Sequence, residues 1–244
     1  MSELQVLKNK LASLRPLNRA ELTRLREEFI IENTYNSNAI EGNTLTLRET
    51  ALILQEGVTI AGKQIREHLE VVGYKDAFDY IVTLAEQDEI LDARQFKDIH
   101  SLVLMNDNAN RGRYRKVPVK ILGSQYQTAQ PDEIENRIEQ LLKEYQQRLS
   151  EDIVSAICFL HLEFESIHPF IDGNGRTGRL LLNLELIKHG YLPVNIKFTD
   201  REKYYDAFDH YHQGQLEYFV QMVSQYEKEE LEKYIAILEG IEHE

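Results

Sequence analysis

The segment His168-Pro-Phe-Ile-Asp-Gly-Asn-Gly-Arg-Thr-Gly-Arg179 places a candidate base, a carboxylate, a glycine-rich turn and two arginines close together along the chain. Gly173-Asn174-Gly175 lets the backbone turn tightly and aim successive N–H groups at one point, the geometry of an anion-binding nest. The apolar run Leu180 to Ile187 has helical length and composition, so the nest is expected at a helix N-terminus, where the dipole adds to the attraction for phosphate. Arg176 and Arg179 lie three apart and project from one face of the first turn. Two forked, permanently charged donors beside such a hole point to a polyphosphate ligand. Transfer of a phosphate-linked group to a hydroxyl needs neutralised charge, an in-line acceptor and a place for the proton. Histidine suits the last task near neutral pH, and one carboxylate plus phosphate oxygens suits Mg²⁺.

A metal site is a competing reading of the same region. His161, Glu165 and His168 fall at i, i+4 and i+7 of a helix over 151–166, a spacing that zinc ligands use. The stripe lacks an HExxH pattern and leaves the glycine turn and both arginines without a task. His161 is therefore expected to be a packed, hydrogen-bonded histidine behind the site.

The twelve-residue segment resembles the core motif of the Fic family, HxFx(D/E)GNGRxxR, and matches it at every fixed position. The resemblance implies an all-α Fic-fold helical bundle with a short β-hairpin flap, and an enzyme that moves AMP from ATP onto a Ser, Thr or Tyr hydroxyl of a target protein. By position it implies His168 as the general base and Asp172 as the ligand of Mg²⁺. It gives Gly173, Asn174 and Gly175 the phosphate cradle, Arg176 the β-phosphate region and Arg179 the γ-phosphate. Rival readings on the same fold are transfer of UMP, phosphocholine or phosphate, or a largely inactive nucleotide-binding regulator.

Upstream, Ser37-Asn38-Ala39-Ile40-Glu41-Gly42 fits (S/T)xxxE(G/N), the inhibitory motif of many Fic proteins. Ser37 and Glu41 share a helix face, and Gly42 is the residue type that ends a helix. The resemblance implies the class whose inhibitory helix precedes the core, with Glu41 drawing Arg179 off the γ-phosphate. A further expectation is that Glu41 orients a water for the reverse reaction, removal of AMP.

After Arg111-Gly112-Arg113-Tyr114-Arg115 the pattern changes to alternation at Val117, Val119 and Ile121, followed by turn chemistry at Gly123-Ser124. This predicts a hairpin, and the resemblance makes Val119, Lys120, Ile121, Leu122 and Gly123 the flap that pairs with the target backbone. Thr199 and Glu202 can open a helix as a capping box. The resemblance places a tyrosine of that helix, Tyr205, near the adenine. Relatives carry Asn-x-Gly-Asp beyond it, where this chain has His212-Gln213-Gly214-Gln215.

Periodic segments predict helices near 18–40, 47–56, 64–86, 93–105, 131–149, 151–166, 175–189, 201–211 and 215–238. Ser150 is expected to cap the sixth and Pro131 to open the fifth. We divide the chain into an N-terminal helical region (1–60) carrying the inhibitory helix at about 30–42, a catalytic core (61–220) and a C-terminal helix (221–244). With 28 basic and 41 acidic residues the net charge is −13, which argues against nucleic acid and anionic membrane surfaces as partners. The lack of a long apolar run or an apolar N-terminal signal core leads to an expected cytoplasmic location, and Cys158, the single cysteine, fits a buried structural thiol. Relatives of this kind form homodimers, and the resemblance extends that expectation here.

Overall fold

A computed structural model of the chain describes residues 3–87, 89–121 and 126–240. Ten α-helices run in the order α1 (Glu3–Ser13), α2 (Arg19–Ile40), α3 (Leu47–Glu56), α4 (Ile65–Ala85), α5 (Ala93–Val103), α6 (Ile134–Arg148), α7 (Ile153–Ile167), α8 (Asn174–Lys188), α9 (Arg201–His212) and α10 (Glu217–Glu239). Their bounds follow local chemistry. Asn18 with Glu21, Thr46 with Glu49 and Asp92 with Gln95 form reciprocal capping boxes at α2, α3 and α5, each satisfying two backbone groups that a helix start leaves open.

The bundle is built around α7 and α8, which pack on each other while α6 flanks α7 and α4 and α5 flank α8. α7 is apolar nearly all round, and α8 is buried along most of its length, polar residues included: Ile157, Leu160, Phe164, Leu180 and Leu181 have no exposed surface. A helix without a polar face has to be enclosed, and this enclosure holds the connection between α7 and α8 in place. Cys158 is buried in the same core. At the periphery α10 lies on α7 and α9, with Leu231 and Ile235 buried.

Some local expectations are corrected. α7 is capped by Asp152, whose carboxylate accepts from the Ser155 N–H at 2.7 Å, and not by Ser150. Residues 131–133 form a turn and α6 begins only at Ile134, so Pro131 is not in its first turn. A 3₁₀ turn (Phe198–Asp200) leads into α9, which has no side-chain cap bond and no Thr199–Glu202 box. α1 was not among the expected helices.

The expected hairpin is not borne out as strands: among the described residues 117–121 and 126–130 have none. Pro118 offers no N–H, and the carbonyl oxygens of Val117 and Ala129 are taken by the Arg115 guanidinium at 2.9 and 2.5 Å, so a regular ladder lacks its donors and acceptors. Thr128 Oγ1 joins the two runs by donating to the Val119 carbonyl at 2.8 Å. Leu122 and Gly123 lie outside the described residues.

Candidate active site

His168 ends α7 in the left-handed backbone region (φ 53°, ψ 61°), the one non-glycine there among the described residues. Such a conformation costs on the order of 1 kcal/mol or more and persists only where neighbours enforce it. Here its N–H donates to the Phe164 carbonyl at 3.0 Å and its carbonyl accepts from Arg115 Nε at 2.8 Å. Arg115, 5% exposed, reaches carbonyls on both sides of the site and binds 117–129 to the His168 loop.

The rest of the turn is equally constrained. Asn174 accepts from the Phe170 N–H and donates to the Phe170 carbonyl, both at 2.9 Å. Its side chain thus braces the loop, and what it can offer an anion is its backbone N–H. His100 stacks on Phe170 with ring centres 3.7 Å apart. Its Nδ1 accepts from the Gly112 N–H, which leaves the proton on Nε2 to be donated to the Asp172 carbonyl at 2.9 Å. Burial pushes its pKa down to about 4, so the ring is neutral. Gly173 takes φ +77° and leads into α8.

Arg176 emerges from the first turn of α8 and Arg179 from the second, and both are buried. Arg179 is fully engaged by α2: Nε donates to Ser37 Oγ at 2.8 Å, Nη2 to the Ser37 carbonyl at 2.9 Å and to Glu41 Oε1 at 2.7 Å. Glu41 follows the last residue of α2, and its carboxylate sits over Gly175, where a Cβ would collide with Oε1. The anion thus occupies the space above the glycine turn at the α8 N-terminus, where the dipole favours it.

His168 directs Nδ1 to the Glu165 carbonyl at 3.3 Å. A carbonyl only accepts, so Nδ1 carries the proton and Nε2 keeps its lone pair. Burial lowers the His168 pKa, which keeps the ring neutral near pH 7. Beneath it, burial and then the Glu41 charge push the Glu165 carboxyl up to about 8, and Oε1 has no hydrogen-bond partner. His161 is a packed histidine whose Nε2 meets the Tyr204 hydroxyl at 3.0 Å, and burial lowers its pKa to about 3. It does not converge with Glu165 and His168 on a metal. Among the described residues no group of three or more His, Cys, Asp or Glu side chains could hold one.

A cavity of about 560 Å³ opens beside these groups, lined on the deep side by Glu41, His168, Gly175 and Arg179. Lys120, Ile121 and Thr128 line its edge, and Tyr205, Phe208 and His212 come from α9. Tyr205 is 42% exposed and donates to the Ile40 carbonyl at 3.3 Å, while His212 stacks on Tyr126 at 3.8 Å. Asp172, with its side chain 49% exposed, stands outside this lining and accepts from the Gly173 N–H at 2.6 Å and from Arg176 Nη2 at 3.4 Å. Arg115 and His100 were not identified as site residues from sequence; the Gly112-Arg113-Tyr114-Arg115 run was the one available signal.

The helical fold and the occupied turn define a Fic-type domain. Over its full length the chain superposes on a Fic-domain signalling protein from Bacteroides thetaiotaomicron with TM-score 0.91 and 27% identity, covering all of both chains. It superposes on Fic-1 of Caenorhabditis elegans with TM-score 0.84 and 31% identity, over 96% of this chain and 70% of that one. Residues 90–186 match the model of the Fic/DOC family, and the chain belongs to that family. It is 32% identical over 241 residues to the "Protein adenylyltransferase Fic" of Nematostella vectensis, covering 97% of this chain and 56% of that protein. The chain spans about half the length of the curated relatives it matches. No described helix is long and apolar enough to cross a membrane.

Proposed function

We propose that this chain transfers AMP from ATP to a hydroxyl of a protein target and that Glu41 restrains it. The observation that carries the reading is the Glu41 carboxylate held 2.7 Å from Arg179 above Gly175, beside the neutral His168. An acid in an anion-shaped hole marks where a phosphate belongs, and removing it returns the Arg179 fork and the α8 N-terminus to that purpose.

In this reading the amides of Gly173, Asn174 and Gly175 cradle the phosphates, with Arg176 and Arg179 on the outer ones. The target hydroxyl oxygen bonds to the α-phosphorus, the bond to the bridging oxygen breaks, and its electrons leave with pyrophosphate. The hydroxyl proton passes to Nε2 of His168. Asp172 fits Mg²⁺: it is a half-exposed carboxylate at the phosphate edge, suited to an ion that shares its remaining sites with phosphate and water. Bound there, Mg²⁺ would neutralise charge on the phosphates. Residues 117–121 would hold the target segment at the cavity edge, and Tyr205 would lie against the base. The name shared by the relatives of Nematostella, Culex and Aedes supports AMP as the group moved.

The test is to incubate the parent, Glu41→Gly and His168→Ala with labelled ATP, UTP, GTP or CTP and Mg²⁺, and to weigh the products. Glu41→Gly is expected to raise AMP transfer by roughly 5- to 150-fold, the usual size of a coupling between two sites. His168→Ala in that background should abolish it. Labelling by UTP in preference to ATP would move the reading to UMP transfer, and binding without labelling in any variant would leave a nucleotide-binding regulator.

A further inference from the structure

Arg176 is almost fully buried, yet its Nε and Nη1 have no hydrogen-bond partner. Its two carboxylate contacts are long, 3.6 Å to Glu70 and 3.4 Å to Asp172. Buried donors are seldom left unmatched, so this guanidinium retains capacity for a further acceptor. The same two carboxylates also hold a third arginine, which none of the sequence motifs includes. Arg66, one turn ahead of Glu70 on α4, donates Nε to Glu70 Oε1 at 2.8 Å and brings Nη2 within 3.6 Å of Asp172 Oδ2. Its side chain is 61% exposed and lies beside Asp172, next to the glycine turn. Glu70 is 8% exposed and is itself fixed, because Oε2 accepts from Asn43 Nδ2 at 3.0 Å just beyond the Glu41-Gly42 corner.

We propose that Arg66 is a third phosphate-binding arginine, gripping the outer phosphates of a nucleoside triphosphate once Asp172 is engaged by the accompanying divalent cation. The inference rests on the nucleotide-transfer reading given above. Without nucleotide, Arg66 and Arg176 share Glu70 and Asp172, and the four charges balance. A divalent cation on Asp172 would repel the nearby guanidinium by like charge, while the Glu70 tether keeps Arg66 beside the turn. Its free Nη donors then face the anions that arrive with the cation. A forked guanidinium can keep one partner on Nε and take another on Nη, which an ammonium group cannot do in the same geometry. Arg66 has no contact with Glu41, so its grip persists while Arg179 is withheld. AMP carries no outer phosphate and lies beyond its reach.

The experiment is calorimetric titration of Mg-ATP and of AMP into the Glu41→Gly chain, with and without Arg66→Ala. The expected result is about tenfold weaker binding of ATP, the size of one charge-assisted contact at a partly exposed site, with AMP affinity unchanged and Arg66→Lys in between. Unchanged ATP affinity overturns the inference while leaving the transferase reading intact. Equal weakening of ATP and AMP also overturns it, since a merely structural role for Arg66 on α4 would not distinguish the two. If the Glu41→Gly chain with Arg66 intact binds no nucleotide, the transferase reading falls and this inference with it.

Discussion

The turn between α7 and α8 and the run 117–121 face one cavity and are held in opposite ways. The turn is fastened at nearly every residue: His168 by Phe164 and Arg115, Phe170 by Asn174 and the His100 ring, Asp172 by His100. The run 117–121 is attached to its surroundings by the Arg115 fork and the Thr128 hydroxyl. Groups that take part in bond making need fixed positions, whereas a surface that receives another protein's backbone gains from open donors and acceptors. Arg115 belongs to both regions, so the comparison can be broken there first.

Arg115→Met keeps much of the volume and removes every bond to the His168, Ile167, Ala129 and Val117 carbonyls. Leaving buried carbonyls unmatched is expected to cost about 3 kcal/mol, read from urea unfolding. A loss below about 1 kcal/mol would mean that the turn is held without the fork. A smaller effect concerns the floor of the turn. The folded chain holds the Glu165 carboxyl at about 8 against an ordinary 4.5, so it retains a proton that the unfolded chain has lost. Its contribution to stability is present below about pH 4.5 and declines as pH rises toward about 8. Glu165→Gln should therefore remove a downward contribution to the slope of Tm against pH across that window. Glu227, also raised to about 8, still contributes downward, and the buried His100 and His161, held at about 4 and about 3, contribute upward below their ordinary 6.5. An unchanged slope would place the Glu165 proton elsewhere. The smallest effect is expected from Thr128→Val, which removes the bond from Thr128 to the Val119 carbonyl. Stability should drop by about 1 kcal/mol or less, with ATP affinity unchanged and KM for a protein target raised. A change in ATP affinity instead would show that the run is coupled to the turn.

Much of this arrangement was legible in the sequence because it is local. The motif from His168 to Arg179 carries its own turn, helix start and charges, and α2 to α5 announce themselves by caps and periodicity. α1 did not stand out, although Leu4, Leu7, Leu11 and Leu14 recur at helical spacing and are half-buried; its other holds are long-range, Lys8 over the Tyr191 ring at 3.5 Å and Lys10 on Glu239 at 2.9 Å. The Arg115 clamp and the His100 strut escaped notice because their partners lie tens of residues away, 53 for Arg115 to His168 and 72 for His100 to Asp172, and no periodicity encodes such a pairing. The alternation at 117–121 does not show as strands among the described residues, because alternation reports a strand only when the backbone groups remain available for a ladder.

Gly175 presents a bare α-carbon to the Glu41 carboxylate, and this creates an asymmetry between the two helices that meet there. A methyl group at 175 would evict the acid and in the same stroke fill the volume that an incoming oxygen would use. In the proposed reading, a substitution at 175 on α8 would lose the phosphate hollow together with the restraint. Shortening the one side chain at the end of α2 would lift the restraint and leave the hollow whole.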